Sequence, residues 1–153
     1  MFRFSVVAVL LFLFSPAGLE ASKEDSATLQ VRVEAIKSEK EGEIGVAIFE
    51  NKKGFPTHIE YAYEPAWISL QKGMEAVDHV FEGLPSGDWA VSVVHDENGN
   101  RKLDRSTLGF PKEGVGFSNG QKVKLSSPDF DDCQFTLSEG EQKKITIRLD
   151  YRD

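Results

Sequence analysis

Asp96, Asn98, Asn100 and Asp104 occupy positions 1, 3, 5 and 9 of one short polar loop. Carboxylate and carboxamide oxygens at this spacing turn toward a single hard cation, and calcium, which takes roughly six to eight oxygens in flexible geometry, suits them best. The Lys102 carbonyl falls at position 7, the usual backbone donor. Two positions depart from the helix-loop-helix calcium pattern. Thr107 stands at position 12 in place of a bidentate glutamate, and Arg101 at position 6 in place of glycine. A sharp turn at position 6 wants positive φ, which costs a residue with a Cβ about 1 kcal/mol. Glu113 supplies the missing carboxylate if the glycine-rich segment that follows folds back, with Asn119 a weaker candidate. Such a Ca2+ site is expected to be weak, with a Kd of roughly 10⁻⁴ to 10⁻³ M. The same residues also suit a polar hairpin loop held by Asx-turns, because Asn and Asp readily bond their own backbone. An oxygen-only donor set disfavours zinc and copper.

Catalytic chemistry is harder to place. His95 adjoins Asp96, and Ser106 and Ser118 lie nearby in sequence, yet nothing resembles a nucleophile elbow or an oxyanion hole. His95 reads as a strand-end residue bonding the loop, and no catalytic or cofactor-binding residue is assigned. His58 and His79 are isolated, and the carboxylates Asp129, Asp131 and Asp132 read as a solvated turn.

The elements that must position the loop are strands. Thr28 to Ile36 alternates, with Leu29, Val31 and Val33 on one face, and Glu43 to Glu50 resumes the pattern through Ile44, Val46 and Ile48. Across the polar turn from Lys37 to Gly42 the two read as a β-hairpin. The segment 51–73 holds Phe55, Tyr61, Tyr63 and Trp67 around Gly54, Pro56 and Pro65. It is either an aromatic-packed loop or a loop carrying one short strand from Trp67 to Leu70, and it serves as a ligand platform or as a plug for one end of the fold. Glu75 to Leu84, Asp88 to Asp96, Asp132 to Ser138 and Lys143 to Tyr151 are further strands. A Pro-Ser-Gly turn separates the first two of these, and Trp89 anchors the core. About seven short strands, with no amphipathic helix, indicate an all-β, single-domain antiparallel β-sandwich over residues 28–151.

Residues 1–21 read as a secretory signal peptide, with Arg3 before an apolar run from Val6 to Phe14 that is too short to span a bilayer. Cleavage follows Ala17 or Ala21, and residues 22–27 read as a flexible linker. The protein is therefore expected in the periplasm or secreted, without stable membrane insertion after cleavage. The formal charge of −7 argues against nucleic acid and is compatible with cation binding. Cys133 is the one cysteine, so no internal disulfide forms, and a buried thiol in a strand is expected.

Several runs together resemble a bacterial secreted family, domain of unknown function 2141 (DUF2141). They are Phe81-Glu82-Gly83-Leu84-Pro85-Ser86-Gly87, His95-Asp96-Glu97-Asn98-Gly99-Asn100, Leu103-Asp104, Leu108-Gly109-Phe110-Pro111 and Glu113-Gly114-Val115-Gly116-Phe117-Ser118-Asn119. The likeness covers about Thr28 to Tyr151. It implies a signal peptide and a transthyretin-like or immunoglobulin-like sandwich, and it implies no activity. The family's loop usually carries glycine where this chain has Arg101.

Three functions are compatible with these residues. The first is a non-enzymatic module whose calcium loop stiffens residues 105–131 into a surface for a protein or small-ligand partner, unless Leu108, Phe110, Val115 and Phe117 tuck under the sandwich instead. The second is an extracytoplasmic hydrolase using His95 with Asp96 or Glu113. The third is a structural envelope protein with no ligand.

Overall fold

The computed structural model describes residues 25–37 and 39–152, so the segment read as a signal peptide lies outside the described residues. Among the described residues eight strands form two sheets. They are β1 (Ala27–Glu34), β2 (Glu43–Phe49), β3 (Glu64–Ser69), β4 (Ala76–Leu84), β5 (Gly87–Asp96), β6 (Gly114–Phe117), β7 (Phe135–Leu137) and β8 (Gln142–Arg148). One sheet has the order β4-β1-β8 and the other β3-β2-β5-β6, with β7 also paired to β5. β1 begins at the fully buried Ala27, inside the segment read as linker.

The alternation read from the sequence is what the sheets use. Leu29, Val31 and Val33 of β1 face Ile44, Val46 and Ile48 of β2 and Trp89, Val91 and Val93 of β5 across the main core. Trp89 is 2% exposed, and its indole N–H donates to the Pro85 carbonyl at 3.1 Å. The five-stranded sheet is covered on its outer face too. Ala47, Phe49, Ala90, Val115 and Phe117 there meet Val123, Phe130 and Cys133, with Phe55 and Ile59 packed onto them. Phe55 stands edge-on to Phe49 at 5.3 Å and to Phe130 at 5.8 Å. The aromatic segment thus blankets a sheet face rather than plugging an end.

Four expectations change. β1 and β2 are not a hairpin: β1 pairs with β4 and β8, β2 with β3 and β5, and the turn between them crosses from one sheet to the other. The β1–β8 pair is parallel, so the sandwich is not wholly antiparallel. The strand expected from Asp132 starts only at Phe135, because Phe130–Cys133 forms a single helical turn, α1, that buries Phe130 and Cys133. Finally, the glycine-rich segment contains a strand. On β6, a Cβ on Gly114 would lie 2.3 Å from the Tyr151 ring, and one on Gly116 would lie 2.6 Å from Ile147. Glycine lets the chain after β8 cross over β6, where Val115 and Asp150 form a bridge. Burial, with the charges of Asp132 and Asp129 behind it, pushes the Cys133 thiol up to about 12, so it is an inert core group.

His79 of β4 lies opposite the buried Val31, and its Nε2 is buried without a hydrogen-bond partner. Burial holds its pKa below the usual histidine value against the opposing charge of Glu64. The neutral ring is therefore the folded form, and acid protonates the unfolded chain first. Stability is expected to fall as pH drops through and below about 6.5. In urea titrations His79→Leu should lose that acid-side decline, and an unchanged decline would assign it elsewhere.

Candidate functional site

The loop from 97 to 113 joins β5 to β6, and the register of those strands sets its base. His95 pairs with Gly114, which places Asp96 and Glu113 at the two mouths of the loop. Within it, residues 104–112 fold into a small ladder. Lys112 N–H donates to the Asp104 carbonyl at 2.9 Å, Ser106 N–H donates to that of Phe110 at 2.8 Å, and Arg105 bridges Pro111. This ladder returns the chain so that Glu113 lies against the start of the loop.

Asp96 is fully buried. Its Oδ1 accepts from the N–H groups of Gly99 at 2.8 Å and Asn100 at 3.2 Å, and its Oδ2 from that of Arg101 at 2.6 Å. Asn98 Oδ1 accepts from Asn100 N–H, and Asn100 Oδ1 accepts from Lys102 N–H. These are the Asx-turns expected of such residues. The two carboxamides then donate to Asp104. Asn98 Nδ2 lies 2.5 Å from Oδ2, and Asn100 Nδ2 lies 3.2 Å from both oxygens. The structure thus brings Asp96, Asn98, Asn100 and Asp104 into one cluster.

Glu113, 4% exposed, reaches the same loop but bonds its backbone. Oε1 accepts from Glu97 N–H at 3.2 Å and Oε2 from Asp104 N–H at 3.1 Å, so it clasps both ends of the loop. Burial raises its pKa, opposed by those two N–H bonds and assisted by the charges of Asp104 and Asp96. Among the described residues no three His, Cys, Asp or Glu side chains form a metal-holding group. The donor set contains two carboxamides, and Glu113 spends its oxygens on the backbone. Lys102 contributes its N–H to the loop. Asn119 lies away from it, donating to the carbonyls of Asp132 and Gln134.

Arg101 adopts the left-handed conformation that position 6 demands, at φ +56°. Its side chain turns away from the loop centre to chelate Glu43, with Nε to Oε2 at 2.9 Å and Nη2 to Oε1 at 3.1 Å. The guanidinium lies 5.3 Å from the centre of the Trp67 ring. Arg101 therefore ties the loop to β2 and β3, which the sequence pattern did not reveal.

His95 is fully buried and has no free nitrogen. Nε2 donates to the Glu41 carbonyl at 3.0 Å, since a carbonyl only accepts. Nδ1 accepts from the Tyr151 hydroxyl at 2.7 Å, and that oxygen accepts from Lys37 N–H at 3.2 Å. Burial, with the charges of Glu97 and Glu39 against the Lys37 bond, pushes the Tyr151 phenol up to about 12. His95 thus joins the C-terminal segment to the β1–β2 turn and cannot accept a proton from a nucleophile without breaking that join. Of the bulky residues in 105–131, Val115 and Phe117 are buried, while Leu108 is 82% exposed.

A two-sheet β-sandwich with a carboxylate-clasped loop between β5 and β6 is the class of protein that this fold and site define. The chain belongs to the family described as uncharacterized protein conserved in bacteria (DUF2141), whose profile matches residues 31–146. Among solved structures, the chain is similar to the pilus-presented adhesin Spy0125 (Cpa), at 12% identity and a TM-score of 0.29, over 85% of this chain and 27% of that one. No curated protein matches it.

Removing the buried Asp96 carboxylate takes away the charged acceptor of the Gly99, Asn100 and Arg101 N–H groups, so Asp96→Ala is expected to cost about 2–4 kcal/mol in urea unfolding. At Arg101 the backbone and side-chain contributions separate. Arg101→Gly loses the Glu43 and Trp67 contacts but relieves positive φ, whereas Arg101→Ala loses the contacts and keeps the strain. The alanine variant should melt below the glycine variant, and the reverse order would remove the left-handed turn from the account.

Proposed function

We propose that this protein is an exported, non-enzymatic β-sandwich module, periplasmic or secreted, whose loop 96–104 takes a weakly bound calcium ion. The bound loop presents an ordered surface to a protein or small-ligand partner. One observation carries the reading. Asp96, Asp104 and Glu113 lie together, two of them buried, and among the described residues none pairs with a Lys or Arg within 4.0 Å. The neighbouring cations are committed elsewhere, Arg101 to Glu43 and Lys40 to Glu97. Arg101 acts on Asp96 only through space, and clustered buried charge without a direct ion pair is costly, a cost that a hard cation offsets.

Asp96, Asn98, Asn100, Asp104 and the Lys102 carbonyl would hold the ion, with Glu113 as ligand or as the clasp behind it. Calcium would supply charge neutralisation and loop rigidity. The two Asn N–H donors now facing Asp104 would yield that place to the cation, which keeps the affinity low. The part left for a cation to order is 97–113, since Val115, Phe117, Val123 and Phe130 are already buried in the sandwich. The non-enzymatic reading rests on His95, whose two nitrogens are both engaged.

Thermal unfolding in EDTA and then in millimolar calcium tests the proposal. Calcium at about ten times Kd should add about 1.4 kcal/mol, or about 4 °C in Tm for a domain of this size. Asp104→Ala, which loses the bonds from Asn98 and Asn100, should melt slightly below the parent in EDTA and show no calcium response. A parent chain that ignores calcium would leave the loop as a hydrogen-bonded Asx-turn structure.

A further inference from the structure

The outer face of the five-stranded sheet is not wholly covered by the aromatic segment. An apolar cleft remains, floored by Ala47 of β2 and Ser92 of β5 and walled by Trp67, Ile59 and Phe117. Small floor residues make the depth. The Trp67 ring lies over Gly45, where a Cβ would come within 2.7 Å of it, so the indole forms a flat side to the cleft. The Ser92 hydroxyl is spent on the Pro56 carbonyl at 2.8 Å, which leaves the floor without a free polar group.

The charge of the lining is one-sided. Arg101 and Lys102 line it, and no Asp or Glu does, in a chain of net charge −7. Arg101 is already neutralised by Glu43, whereas Lys102 is exposed and makes no ion pair among the described residues. An enclosed apolar floor with one unpaired cation at its rim selects a ligand with an apolar body and an anionic head.

We propose that this cleft binds a small amphipathic carboxylate, with its short acyl or aromatic body against Trp67 and Ile59 and its carboxylate at Lys102. The site is distinct from the loop centre, and nothing in it requires a metal. Only the Lys102 side chain is used, not the carbonyl that the cation reading engages.

Octanoate is the probe, with octylammonium and octanol as comparisons, titrated into the purified chain in EDTA so that the outcome is independent of calcium. Octanoate is expected to shift the Ala47 and Ile59 methyl resonances saturably and to bind about tenfold more tightly than octylammonium. Lys102→Glu should weaken octanoate by about fivefold or more and leave octanol unchanged. Ala47→Phe, if its melt remains cooperative, should abolish binding of all three. The proposal is overturned by an absence of saturable methyl shifts in the parent, by equal affinity for octanoate and octylammonium, or by a folded Ala47→Phe chain that still binds.

Discussion

Two carboxylates taken out of water organise the loop between β5 and β6. Asp96 and Glu113 are buried, and between them they accept from the N–H groups of Glu97, Gly99, Asn100, Arg101 and Asp104. A buried carboxylate is tolerable only when its oxygens are satisfied, and here the loop backbone does so. The dependence runs both ways, because a polar loop with so little apolar content has no other means of holding one shape. Strand pairing supplies the geometry, since the β5–β6 register faces the two acids across the loop's mouth.

The sandwich must therefore hold the ends of β5 and β6 in register, and its outer layers do so. β6 is locked by the chain after β8, which bridges Val115 and carries Tyr151 to His95. The second apolar cluster, around Phe49, Phe55 and Phe117, covers the sheet that carries the loop. Arg101 couples the loop to that covered face through Glu43 and Trp67. Loop order and the shape of the outer cleft are thus joined through one residue.

Much of this was legible in the sequence, because half-buried strands print a period of two. β1, β2, β4, β5 and β8 stand close to where alternation placed them. β6 was not legible. Its glycines serve close approach by Tyr151 and Ile147, a tertiary cause that leaves no apolar alternation. The expected β1–β2 hairpin failed because neighbouring strands crossed between sheets, which a polar turn does not announce. At the site, spacing alone gathered Asp96, Asn98, Asn100 and Asp104. Glu113 was placed nearby, but its role as a clasp depended on the unseen strand. The joining of His95 to Tyr151 spans most of the C-terminal half and has no local signature.

Amide hydrogen exchange, read residue by residue in EDTA and then in calcium, shows whether the buried carboxylates hold the loop. The N–H groups of Glu97, Asp104 and Arg101 are expected to be protected in EDTA, because Glu113 and Asp96 hold them, and more strongly protected in millimolar calcium. Exchange of these amides in EDTA at the rate of the exposed Thr107 and Leu108 amides would contradict this, since the buried carboxylates would then not be what holds the loop.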